Sequence, residues 1–177
     1  LAEVACECLQ LPCPEPDLKE WEDMVNAWKN RSKTVKIALV GKYTALHDAY
    51  ISVVESLKHA GTANDAKVDI KWIESENLNA ANADELLGDV SGILVPGGFG
   101  DRGISGKLQA IEYARTHGIP FLGLCLGMQL AIVEFCRHVI GYEDAHSSEL
   151  NPATSHPVIH LMPDQNGVTD IGGTLRL

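Results

Sequence analysis

The sequence predicts an α/β fold, a doubly wound and mostly parallel sheet flanked by helices. From Thr34 onward, short and continuously apolar runs alternate with helical stretches. Strands buried on both faces of a parallel sheet have this uninterrupted apolar character. The length of 177 residues is that of one domain, and 45% hydrophobic against 21% charged residues is typical of a globular protein.

The first 33 residues differ from the rest. Residues 1–16 carry three prolines in LPCPEP and predict an extended linker, because proline restricts both itself and its predecessor. Asp17 then predicts the start of a helix with an apolar stripe of Leu18, Trp21, Met24, Val25 and Trp28. We therefore expect an interdomain linker and helix over 1–33, and the α/β domain over 34–177.

The elements of that domain follow in alternation. We expect strands at 34–40, 67–73, 92–96 and 120–124, and helices at 48–61, 82–88, 105–117 and 126–139. Gly118 predicts the C-cap of the third helix. The fourth helix is apolar on nearly every side and is therefore expected to be central. Two late strands are expected at 156–161 and 172–177.

Charge and cysteine content exclude several classes of protein. Lys and Arg number 14 against 24 Asp and Glu, a net charge of −10, which argues against a nucleic-acid or anionic-membrane partner. No run approaches the roughly 18 apolar residues of a membrane span. The five scattered cysteines indicate reduced thiols in the cytoplasm. Three of them, Cys6, Cys8 and Cys13, have poor zinc spacing, and we predict no metal site.

The motif GLCLGMQ at 123–129 places Cys125 between a predicted strand and a predicted helix. A nucleophile on so sharp a turn needs strained backbone, and Gly123 and Gly127 remove side chains that would clash there. The helix N-terminus favours the reactive thiolate. The Leu126 N–H would donate to an oxyanion formed beside the sulfur. The alternative is a buried cysteine in a glycine-containing turn.

A second loop, PGGFGDRG at 96–103, formally matches a dinucleotide fingerprint. A true fingerprint follows the first strand and has an acidic residue about 20 residues further on. Here the position about 20 residues further on lies in PFLGL, which contains no acidic residue. We expect instead that its N–H groups face Cys125, so that Gly98 and Leu126 supply the two donors of an oxyanion hole. Gln129, one turn into the helix, could bind a substrate amide or carbonyl. GKYT at 41–44 lacks the upstream glycine of a P-loop and is rejected as one.

A nucleophilic cysteine also needs a histidine base and a group that orients it. Each histidine is better explained structurally, by a helix end, a loop without a carboxylate, a neighbouring proline or a polar strand position. The seven are His47, His59, His117, His138, His146, His156 and His160. The base is therefore not evident.

The elbow GLCLGMQ resembles that of class I glutamine amidotransferases, which have a flavodoxin-like fold. Together with GILVPGGFGDRG and GGTLRL, the chain from about residue 34 resembles the glutaminase domain of the CTP synthase family. The resemblance implies that L-glutamine supplies ammonia to a synthetase domain of the same polypeptide, which aminates UTP to CTP with ATP and Mg²⁺. It also implies GTP as an allosteric activator, no cofactor in this domain itself, and a homo-oligomer, a tetramer in the family.

The resemblance assigns roles to individual residues. Cys125 would form the γ-glutamyl thioester, Glu149 would hold the α-amino group of glutamine, and Phe99 and Arg102 would help to bind GTP. The remaining glutamine-binding residues would be Gly98, Leu126, Gly127, Met128 and Gln129. Without the resemblance, Met128 is better explained by core packing and Glu149 as a solvated loop carboxylate.

The chain departs from the family at its ends. It opens on Leu1 rather than Met and stops at GGTLRL, whereas the family's His-x-Glu pair lies downstream of that element. We therefore expect a fragment that is incomplete at its C-terminus and inactive alone. Two alternatives stay open: the glutaminase of another amidotransferase, such as those of GMP or carbamoyl-phosphate synthesis, or a non-catalytic regulatory module with an unreactive elbow.

Overall fold

The computed structural model describes residues 1–13 and 15–162. The strands are β1 Lys33–Gly41, β2 Ala66–Glu74, β3 Gly92–Val95, β4 Phe121–Gly123, β5 His146–Ser147 and β6 Pro157–Ile159. The helices are α1 Ala2–Leu9, α2 Lys19–Lys29, α3 Ile51–Ala63, α4 Ala83–Leu87, α5 Ile104–His117 and α6 Leu126–Phe135. In the ranges described, no helix is both long and apolar enough to cross a membrane.

Four strands form a parallel sheet in the order β2-β1-β3-β4. This confirms the predicted doubly wound α/β fold, and all four predicted strands lie within two residues of their expected bounds. The chain leaves β1 toward β2 and then crosses back to β3, so the winding direction reverses between β1 and β3. Ligands of such sheets bind beyond the carboxyl ends of the strands at this reversal.

Alternate residues of the central strands pack into two cores, one on each face of the sheet. Leu39 and Leu94 point toward Tyr50 and α3 on one face. Their neighbours Ala38, Val40, Ile93 and Val95 point toward α4, α5 and α6 on the other. Burial on both faces explains the continuous apolar runs from which the strands were predicted.

The N-terminal prediction was wrong in part, because α1 occupies Ala2–Leu9 where a linker was expected. The three prolines all lie at 12–16, after this helix has ended, and its own residues include the helix formers Ala, Glu and Leu. The helix predicted after Asp17 is confirmed as α2, and the Asp17 carboxylate accepts the Lys19 N–H at 3.0 Å. The apolar stripe of α2 stays exposed, beside a groove of about 830 Å³ against α3.

The expectation that helix 126–139 is central was also wrong. The helix ends at Phe135 and continues as one π-helical turn, Cys136–Ile140. One of its sides is exposed, at Met128, Ile132, Phe135 and Val139, because β4 is the outermost strand of the sheet in the part of the chain that is described.

The late strands differ from expectation as well. The strand expected at 156–161 shortens to β6 and pairs in parallel with β5. Strand β5 was not predicted, because a strand of two residues is too short to show an alternation of apolar and polar residues. The strand expected at 172–177 lies outside the described residues.

A buried ion pair joins α6 to α5. The Glu134 side chain is 1% exposed, and the Arg115 guanidinium donates to both of its carboxylate oxygens at 2.7–3.0 Å. His138 Nδ1 lies 2.9 Å from the same carboxylate. Burial opposes ionisation, but the hydrogen bonds from Arg115 and His138 outweigh it and hold the pKa of Glu134 below its usual value.

We predict that Glu134→Gln lowers the free energy of unfolding at neutral pH by about 2 kcal/mol, because the half-buried Arg115 loses its partner. A carboxyl whose pKa is lower in the folded state stabilises fully above its unfolded pKa of about 4.3, and this contribution is lost as the pH falls. Urea unfolding between about pH 7 and pH 3 should therefore show a steeper loss of stability for the wild type than for the variant. Exposed Glu85→Gln on α4 is the control, and parallel curves for wild type and Glu134→Gln would contradict the prediction.

Candidate active site

Three chain segments meet at the carboxyl ends of the neighbouring strands β1, β3 and β4. Lys42 follows β1, Gly97 and Gly98 follow β3, and Cys125 follows β4. Strands β3 and β4 pair with Val95 opposite Gly123, so the loops that leave them start side by side. The predicted cysteine elbow and the predicted glycine loop are therefore neighbours.

The backbone at Cys125 is strained, as the sequence predicted for a nucleophile elbow. Its φ is 49° and its ψ is −107°, a conformation that costs a residue with a Cβ about 1–3 kcal/mol. Cys125 is exposed rather than buried, which overturns the alternative of a buried structural cysteine. Strain of this kind is common at active sites, and the packing of a buried core does not account for it here.

The two glycines that flank Cys125 allow the backbone to turn. A Cβ at Gly123 would lie 2.5 Å from the Gly127 carbonyl carbon and the Met128 nitrogen, and one at Gly127 would lie 2.1 Å from the Val95 carbonyl oxygen. Both distances are far inside van der Waals contact. The predicted reason for these glycines is therefore confirmed.

The N-terminus of α6 presents a backbone donor beside the sulfur. Gln129 N–H and Gly127 N–H bond to the carbonyls of Cys125 and Leu124 at 3.0 and 2.9 Å, whereas the Leu126 N–H donates to no acceptor in the ranges described. The same holds for the Gly98 N–H. A Cβ built on the adjacent Gly97 would lie 3.4 Å from the Cys125 Cβ, so the glycine loop does pass along the elbow.

The other residues predicted to bind substrate lie in the first turn of α6 or in the turn after β5. Gln129 is half-buried, and the Met128 side chain is 53% exposed, so Met128 is not the core residue that its type suggests. Glu149 is exposed in the turn after β5, with its N–H on Ser147 Oγ at 3.2 Å. Its neighbour Leu150 packs on the core cluster that contains Leu126, which places the turn on the α6 side of the sheet.

A cationic and aromatic surface adjoins the glycine loop. The Phe99 side chain is 65% exposed, and its carbonyl accepts a hydrogen bond from Lys42 Nζ. Arg102 donates to the Lys42 carbonyl at 2.8 Å and to Glu76 at 3.0 Å, and its guanidinium lies 5.2 Å from the centre of the Tyr43 ring. The segment GKYT, which the sequence analysis rejected as a P-loop, thus contains Lys42, the lysine that supports this loop. Lys42 comes directly after a central strand, and this position is the signal by which it could have been identified from the sequence.

No histidine within residues 1–13 and 15–162 is hydrogen-bonded to Cys125. His138 contacts Glu134, His160 contacts Ser148 and His47 stacks on Trp72. His156 does have an orienting carboxylate, since its Nδ1 lies 2.5 Å from Asp144 Oδ1. Hydrogen bonds from His156 and Ser155 hold the pKa of Asp144 well below its usual range. This pair was not predicted, because eleven residues, β5 among them, separate its members in the sequence.

Comparison with known proteins shows which families the chain is similar to. The family model for glutamine amidotransferase class-I matches residues 45–172. The CTP synthases of Clostridium beijerinckii and Halalkalibacterium halodurans are each 60% identical over all 177 residues, which cover 33% of either relative. The solved glutaminase domain of Trypanosoma brucei CTPS with bound acivicin aligns with a TM-score of 0.69 and 43% identity, over 74% of this chain and 51% of that one. The chain thus spans about a third of the length of the CTP synthases it matches.

We predict that Cys125→Gly is more stable than Cys125→Ala by about 1 kcal/mol. Glycine adopts a positive φ without strain, and this relief exceeds the 0.5–1 kcal/mol or so that glycine costs through the entropy of the unfolded chain. Urea unfolding of the two variants measures the difference. At Cys136, where φ is −63°, the order should reverse, and a glycine penalty at both sites would show that Cys125 is not strained.

Proposed function

The chain belongs to the class I glutamine amidotransferase family, and on that premise we propose that it is the glutaminase part of a CTP synthase. It would hydrolyse L-glutamine and supply the ammonia that aminates UTP to CTP. The observation that carries the proposal is the exposed, strained Cys125 at the N-terminus of α6. It lies beside a glycine loop whose Gly98 N–H donates to no acceptor among the described residues.

In the proposed reaction, the Cys125 thiolate attacks the side-chain amide carbon of glutamine. The carbonyl oxygen becomes an oxyanion, which the N–H groups of Gly98 and Leu126 would stabilise. The proton that the thiol gives up to the histidine of the longer polypeptide would pass to the leaving nitrogen as the C–N bond breaks, so that ammonia departs and a γ-glutamyl thioester remains. Water, losing a proton to that histidine, would then add to the thioester through a second oxyanion, and the C–S bond would break to release glutamate and the Cys125 thiol. Loss of one such donor typically costs about 3 kcal/mol of transition-state stabilisation.

Glutamine would lie along the first turn of α6 and reach Glu149 with its α-amino group. Exposed Met128 and half-buried Gln129 are available for contact with it. Gly127 would act through its missing side chain, because its N–H already bonds to Leu124. The exposed Glu149 carboxylate has no hydrogen-bond partner in the described ranges, which suits a group that receives an ammonium.

The remaining parts of the machinery belong to the longer polypeptide that we propose. That polypeptide would contain the synthetase domain, with its ATP and Mg²⁺, and the histidine and glutamate that complete the cysteine site, so the 177 residues alone would be inactive. The five free cysteines favour a reducing, cytoplasmic setting.

The two alternatives are less well supported. At 60% identity over the whole chain, the curated relatives named above are CTP synthases rather than other amidotransferases. A regulatory module without catalysis would gain nothing from strained backbone at Cys125, which costs stability.

In the full-length protein, Cys125→Ala should reduce glutamine-dependent CTP formation by at least about a thousandfold, since it removes the nucleophile. Ammonia-dependent CTP formation should be unchanged, because ammonia bypasses this site. Both rates are measured by the appearance of CTP, with Cys13→Ala as the control. Loss of both activities would point to a structural role for Cys125. Failure of a glutamine-analogue electrophile to label Cys125 in the folded protein would remove the nucleophile assignment.

We also propose that GTP binds on the surface of Phe99, Arg102 and Tyr43, where an exposed ring can stack on a purine and the Arg102 guanidinium can face its phosphates. Phe99→Ala should raise the GTP concentration for half-maximal activation of glutamine hydrolysis about tenfold, because aromatic stacking on a base is lost. Phe135→Ala, an exposed ring on α6, is the control. An unchanged activation curve for Phe99→Ala would rule out the ring as a GTP contact.

A further inference from the structure

Lys107, on the second turn of α5, is a buried cation without a partner. Its side chain is 0% exposed, and its Nζ has no hydrogen-bond partner in the part of the chain that is described. An uncompensated charge in such a place is costly and is usually paired. The protein therefore retains a destabilising group at this position.

The Lys107 ammonium lies directly beneath the glycine loop of the candidate site. A Cβ built on Gly98 would lie 3.7 Å from Lys107 Nζ, 3.7 Å from Lys42 Cε and 3.8 Å from Leu126 Cδ2. Gly98 and Leu126 are the two residues whose N–H groups are proposed to hold the oxyanion. The Lys107 ammonium thus lies beside Gly98, and the Leu126 side chain packs against the same point of the loop.

The surroundings of Lys107 do not neutralise it. Burial, with the neighbouring cations Lys42 and Arg102, lowers the pKa of Lys107, while Glu74 opposes this shift. No carboxylate of the described residues comes within ion-pair distance of its Nζ. Glu74 Oε2 accepts a hydrogen bond from Thr44 at 2.7 Å, and the buried Glu74 Oε1 has no hydrogen-bond partner among those residues. The positive potential of this ammonium therefore extends toward the Gly98 loop rather than into a salt bridge.

We propose that Lys107 is an electrostatic positioning residue of the glutaminase site: its unpaired ammonium stabilises the oxyanion that forms at the Gly98 and Leu126 N–H groups. The inference rests on the proposed function. Lys107 does not touch glutamine, donates no proton and forms no bond in the reaction. Its counter-charge appears only in the transition state and the tetrahedral intermediates, so it should act on kcat and not on substrate binding.

The test uses the full-length protein with Lys107→Met, which keeps the length of the side chain and removes the charge. We expect kcat for glutamine hydrolysis to fall about tenfold with KM unchanged, less than the loss from removing a direct oxyanion donor. The melting temperature should stay the same or rise, because an unpaired buried charge is replaced by an apolar side chain. Lys58→Met, which removes an exposed cation from α3, is the matched control.

Lys107→Gln gives a second neutral side chain and should lower kcat by a similar factor. An unchanged kcat in either variant overturns the proposal, and so does a kcat that falls only together with the melting temperature, since that pattern marks a structural role. The wild type and Cys125→Ala separate this result from the proposed function. If the wild type does not hydrolyse glutamine, the function itself fails, whereas normal hydrolysis that depends on Cys125 leaves it standing whatever Lys107 does.

Discussion

The candidate site depends on one backbone-to-backbone contact, the approach of the first turn of α6 to the end of β3. At Gly127 the Val95 carbonyl occupies the space that a Cβ would need. This contact fixes the short distance between α6 and the sheet. The chain therefore has to turn sharply at Cys125, just before the helix begins. Because α6 packs so closely on the sheet, the thiol comes together with the Leu126 N–H and the Gly98 loop.

The chain is acidic as a whole, yet its site is locally cationic. A net charge of −10 is unfavourable for a general anionic partner, but Lys42, Arg102 and Lys107 lie around one loop at the strand ends. Each is held by a different element: the end of β1, the glycine loop and α5. Net charge thus describes solubility and long-range attraction, while the proposed reaction would depend on charges placed within a few ångströms.

Much of the fold could be predicted from sequence, and the parts that could not have physical reasons. Strands such as β1 and β3 are buried on both faces, so their apolar runs were unambiguous. The strained turn at Cys125 was predictable because its two glycines flank it in sequence. The roles of Lys107 and of the Asp144–His156 pair could not be predicted, because other segments of the chain supply the groups around them. The exposed side of α6 was missed because composition does not reveal which strand lies at the edge of a sheet.

The strained turn at Cys125 has an evolutionary consequence. In the proposed reaction the thiol of Cys125 explains a side chain at a φ of 49° and a ψ of −107°, so a descendant that lost the reaction would gain stability by accepting glycine there. The residue at this one position should therefore record whether a lineage still uses the site. The surrounding glycines would persist in either case, because they are required by the approach of α6 to β3 and not by catalysis.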